Sequence, residues 1–75
     1  MSIQVKFFAS LREQIGLADS IIEQASTADE VWAIATDNAE RPDNMLVAIN
    51  LEYAKLNSSV SDGDEVAFFP PVTGG

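Results

Sequence analysis

The chain contains no cysteine and no histidine. Without thiols there is no disulfide staple, no thiolate metal site and no cysteine nucleophile. Without imidazole, the commonest general base at neutral pH is gone, and with it the usual zinc ligand set. Basic side chains are also scarce. Lys6, Arg12, Arg41 and Lys55 stand against twelve acids, for a net charge of −8. Nucleic-acid binding is disfavoured, because neutralising phosphates takes a cluster of Lys and Arg. No apolar run approaches the ~20 residues needed to span a bilayer. The opening residues carry Lys6 and Arg12 without a cleavage-type site of the kind that ends a signal peptide. The expectation is a soluble cytoplasmic protein with no membrane contact. Its acidic excess serves solubility or steers it toward a basic partner.

What is present fits one small domain. Hydrophobic residues make up 47% of 75 residues, enough for a modest core and too many for global disorder. A domain of this size buries only a little more than ~60% of its unfolded surface, and it has no room for a cleft walled by two domains. Such chains bind, carry or regulate more readily than they catalyse alone.

Ile3-Gln4-Val5-Lys6-Phe7-Phe8 alternates apolar and polar before two aromatics, the pattern of a half-buried strand. Ser10-Leu11-Arg12-Glu13 has capping-box spacing, predicting a short helix from about Leu11 to Ile15 that Gly16 stops. Asp19 to Gln24 reads as a second strand, antiparallel to the first. Thr27-Ala28-Asp29-Glu30 is a second capping box, with Val31, Ile34 and Ala35 as the apolar stripe of a helix reaching about Asn38. Trp32 flanks that stripe, either covering the core's edge or serving as a binding anchor. Glu40 to Asn44 is a polar loop around Arg41-Pro42. Met45 to Ile49 predicts a central strand, Asn50 a turn, and the alternation through Tyr53 a short edge strand. Asp62-Gly63-Asp64 is a turn signal before a last strand, Glu65 to Phe69, which Pro70-Pro71 must end because neither can donate an amide.

This order of elements is α+β: a β-grasp, ubiquitin-like mixed sheet packed on one main helix. It divides the chain into a folded domain, 1–69, and a free C-terminal tail, 70–75. Six residues past the last strand, at ~3.3 Å each, reach about 20 Å. The prolines stiffen the base of the tail, and Gly74 and Gly75 pass a channel too narrow for any Cβ. The terminal carboxylate is then the one group with useful chemistry, provided a partner activates it. A frayed chain end is the alternative.

Two segments carry a resemblance to a known family. Val5-Lys6-Phe7-Phe8-Ala9-Ser10-Leu11-Arg12-Glu13 resembles the opening of molybdopterin synthase small subunits, the MoaD family. Asp62 through Phe69 and the tail Pro70-Pro71-Val72-Thr73-Gly74-Gly75 resemble that family's closing motif, and Val47-Ala48-Ile49-Asn50 extends the resemblance to the middle strand. Residues 17–45 agree only in pattern. The resemblance implies a sulfur carrier. An E1-like enzyme using ATP and Mg adenylates Gly75, and a persulfide sulfur donor converts the adenylate to a thiocarboxylate. The tail, through Val72, Thr73 and Gly74, enters the large synthase subunit and donates sulfur to cyclic pyranopterin monophosphate. The assembly implied is a heterotetramer, and this chain binds no cofactor or metal itself. A ubiquitin-like protein modifier, or a sulfur carrier for thiamine or tRNA thiolation, would use the same activated glycine.

Strand alternation with Ile3, Val5, Phe7, Val66 and Phe68 inward leaves Phe69 outward at the root of the tail. Phe8 and Tyr53 are the other aromatic candidates for partner contact. For each of the three, burial in the core is the competing role.

Overall fold

The computed structural model describes residues 2–71. Its elements run β1 (Ile3–Phe7), α1 (Ser10–Ile15), β2 (Asp19–Ile22), α2 (Ala28–Thr36), β3 (Leu46–Ile49), β4 (Glu52–Ala54) and β5 (Glu65–Phe69). One sheet contains all five strands in the order β2-β1-β5-β3-β4. The first and last strands lie parallel at its centre, with Val5 beside Val66 and Phe7 beside Phe68. The other pairings are antiparallel. A mixed sheet gripping one long helix is the β-grasp arrangement expected from the order of elements.

The core lies between the sheet and α2. Ile3, Val5, Phe7, Val47, Val66 and Phe68 supply its strand side, and Ala28, Val31 and Trp32 its helix side. Trp32 packs edge-on against Phe7 and Phe68, with ring centroids 5.9 and 5.1 Å away. The expected helix stripe needs correcting here. Ile34 is exposed, while Trp32 is 2% exposed and central. Ala28 opens the helix, so the buried run is Ala28, Val31 and Trp32, with Ala35 half-buried on the same helical face. Two features favour that rotation: an indole removes more apolar area from water than an isoleucine, and its Nε1 donates to the Ala39 carbonyl at 2.7 Å.

The two capping boxes differ. At α2 the Thr27 hydroxyl accepts the Glu30 amide at 3.3 Å, and the Glu30 carboxylate accepts the Ser26 amide at 3.2 Å. At α1 the expected Ser10 cap is absent, and Ser10 is the first helical residue. Chain direction is the cause. It leaves β1 through a tight turn with Ala9 at φ 52, ψ −129. Backbone carbonyls of Phe8 and Ala9 take the Leu11 and Arg12 amides, which starts the helix one residue early. Gly16 ends it in the left-handed region, as expected. The second helix stops at Thr36, where Asp37 turns left-handed, two residues short of the expected Asn38. The second strand likewise closes at Ile22, and β3 starts at Leu46.

Candidate functional site

Two Phe-Phe pairs set up the site. Phe7 ends β1 with Phe8 just beyond it, Phe68-Phe69 ends β5, and the parallel register puts Phe7 opposite Phe68. Side chains alternate across a strand, so the first of each pair enters the core and the second stands on the far face. There Phe8 and Phe69 stack face to face, with centroids 4.8 Å apart and planes 6° from parallel. Both are half-buried.

From this stack a groove of about 200 Å³ crosses the sheet toward the β3–β4 hairpin. Ala67 and Ala48 form its floor, adjacent in register and 5% and 6% exposed. Tyr53, opposite Ala48 on β4, and Leu51 at the hairpin tip form the far wall. Glu65 borders it and forms an ion pair with Lys6, 3.8 Å between Oε2 and Nζ. The lining thus offers apolar surface, one carboxylate and one phenol. Apolar surface of this kind suits contact with a partner.

The hairpin is fixed to the start of β5 through Asn50. Its Nδ2 donates to Asp64 Oδ1 at 2.9 Å, and its Oδ1 accepts the Glu65 amide at 3.0 Å. The Ser61 amide donates to the other Asp64 oxygen at 2.8 Å. The Asn50 amide, then the Ser61 N–H, hold the Asp64 carboxyl below its ordinary 3.8.

All three aromatic candidates, Phe8, Phe69 and Tyr53, border this one groove. Residues Gly75, Gly74, Thr73 and Val72 lie outside the described residues. What the described chain establishes is where they depart: β5 ends at Phe69, on the edge of the groove, and leads into Pro70-Pro71. Sequence reasoning missed Ala48, Ala67 and Leu51. The alanines were detectable as small residues at outward positions of otherwise bulky strands. Leu51 was detectable as the second residue of a two-residue hairpin turn.

Among the described residues no helix is long and apolar enough to cross a membrane. Known proteins resemble the chain along its length. The sulfur carrier subunit of molybdopterin synthase from Haemophilus influenzae is 39% identical over 84 aligned positions, covering 97% of this chain and 99% of that protein. Small archaeal modifier protein 1 of H. volcanii superposes with a TM-score of 0.76 at 28% identity, covering 95% of this chain and 98% of that one. A chain from the complex of subunits 1 and 2 of the Helicobacter pylori molybdopterin-converting factor superposes at 0.67, with 29% identity and full coverage of both. The ThiS family model matches residues 5–75, from the first central strand through both terminal glycines, and the chain belongs to that family.

Proposed function

We infer that this chain is the sulfur-carrier small subunit of molybdopterin synthase, with Gly75 as the residue that bears the sulfur. The observation that carries the reading is the 39% identity to the H. influenzae sulfur carrier subunit along nearly the whole of both chains. The apolar groove beside the exit of β5 supports it, since a carrier must present its terminus together with a surface that a partner can grip. The large synthase subunit is that partner, in a heterotetramer of two small and two large subunits.

The chemistry belongs to the terminal carboxylate. On an E1-like enzyme supplied with ATP and Mg, a Gly75 carboxylate oxygen attacks the α-phosphorus and pyrophosphate leaves. The resulting acyl-adenylate is open to a persulfide on a donor protein, whose outer sulfur takes the carbonyl carbon as AMP departs. A thiol then cleaves the S–S bond and leaves the thiocarboxylate. Inserted in the large subunit, this sulfur passes to cyclic pyranopterin monophosphate. Gly74 lets the terminus thread a narrow channel, with Thr73 and Val72 as the contacts behind it. Phe69, Phe8 and Tyr53 hold the large subunit. All of this takes place in the cytoplasm.

Intact mass is the direct test. After incubation with activating enzyme, ATP and sulfur donor, the chain should gain about 16 Da as sulfur replaces oxygen on the acyl group. Deleting Gly75 should abolish the gain with the fold unchanged. No gain in the intact chain overturns the reading. A second reading, a protein modifier joined through Gly75 to lysines, is favoured by the likeness to small archaeal modifier protein 1. An amine attacking the same adenylate would give covalent ladders on cellular proteins and no thiocarboxylate.

A further inference from the structure

Asn50 and Leu51 form the two-residue turn of the β3–β4 hairpin, both with positive φ, 52 and 70. Only the first has a structural reason. Asparagine tolerates the left-handed region, and the Asn50 side chain is engaged with Asp64 and Glu65. Leucine at the second position crowds its Cβ against the backbone, where such turns favour glycine. Among the described residues nothing offsets this, because Leu51 is 88% exposed and lies outside the core cluster. A glycine there would relieve the backbone and remove an apolar side chain from water. Strain of this kind persists where it serves a site.

We propose that Leu51 is the outer anchor for the large synthase subunit, filling an apolar recess on that partner that is bordered by Lys or Arg. The proposal rests on the reading of this chain as the small subunit, and three features select that occupant. The groove is continuous from Leu51 across Ala48 and Ala67 to Phe69, so a partner that takes up the terminal segment covers the groove to its far end. The bonds of Asn50 to the start of β5 hold the tip in place, so little ordering is needed on binding. Glu65 lines the groove and Asp64 sits beneath the turn, in a chain of net charge −8, which complements a basic border.

The test is calorimetric titration of the full chain with the synthase large subunit, alongside thermal unfolding of each variant. Leu51→Gly should raise the unfolding midpoint while weakening binding about tenfold, the loss typical of an apolar anchor. Leu51→Met, apolar and of similar volume, should stay within about threefold of the parent affinity. Ile34→Ala removes an exposed apolar side chain from α2, away from the groove, and should leave binding unchanged. Parent-like binding by Leu51→Gly overturns the anchor alone. So does an equal loss in Ile34→Ala, which would mark a general effect of surface hydrophobicity. Failure of the unaltered chain to bind the large subunit overturns both the anchor and the functional reading.

Discussion

Phe7 and Phe68 sit side by side on β1 and β5 and face α2, while Phe8 and Phe69, each the next residue along the chain, stack on the opposite face. The two pairs have the same composition and are carried by the same two chain segments. On the inner face Trp32 closes over the rings, and both phenylalanines are fully buried. On the outer face the corresponding rings remain half-exposed, next to a floor of alanines and a wall formed by Tyr53 and Leu51. Tyr53 is 78% exposed. A domain this small gains by burying every apolar side chain it can, so a half-exposed aromatic pair at the exit of the last strand signals a surface kept for a partner.

The sharpest way to break this comparison is to truncate adjacent residues. Phe68→Ala opens a cavity in the core and should cost about 3–5 kcal/mol. A domain of this size has a total stability of about 4–11 kcal/mol, taking roughly 0.05–0.15 per residue, so the variant should be largely destabilised. Phe69→Ala removes a half-buried ring and should cost about 1 kcal/mol or less, while weakening large-subunit binding about tenfold or more. Urea unfolding followed by circular dichroism, with calorimetry for binding, separates the two. Equal destabilisation would make Phe69 a core residue and remove the distinction between the faces.

Much of this arrangement was legible from local pattern. Alternation in Ile3-Gln4-Val5-Lys6-Phe7 and in Val66-Ala67-Phe68-Phe69 assigned each side chain to its face, because that depends only on period two. The turn at Asp62-Gly63-Asp64 and the stop at Pro70 were equally local. What escaped was decided between distant segments. The rotation of α2 depended on Ala39 being available to the Trp32 indole, and a stripe read within the helix favoured Ile34 instead. The failed cap at Ser10 followed from the direction in which β1 ends. The groove needed the register that brings Ala67 beside Ala48 and Ala48 beside Tyr53, a relation that no single strand contains.

Acid should act unequally on the two faces. Asp64 holds the hairpin end of the groove, and its carboxyl titrates below 3.8 in the folded chain. A depressed folded value contributes stability that is complete above the unfolded value and disappears as pH falls through the folded one. Lowering the pH below about 3.8 should therefore loosen the hairpin while the buried Trp32 environment persists. Hydrogen exchange at the Glu65 amide, bonded to Asn50, and Trp32 fluorescence report the two regions. Asp64→Asn should flatten the hairpin's acid response. Simultaneous loss of both signals in the native chain would mean that the hairpin unfolds only with the core.

The smallest expected effect concerns charge at the groove. Lys6 and Glu65 form an ion pair with side chains 44% and 31% exposed, so Lys6→Ala should change stability by no more than about 0.5–1 kcal/mol. Its effect on association should be visible nonetheless. The substitution takes the net charge from −8 to −9 and frees the Glu65 carboxylate beside the groove. If the partner's border is basic, encounter should speed up by about two- to threefold at low salt. At 1 M salt, where the screening length is about 3 Å, the gain should vanish. Stopped-flow association rates at several ionic strengths measure this directly. Slower association at low salt would mean that the partner meets the groove with negative charge, and the acidity of the outer face would then serve solubility alone.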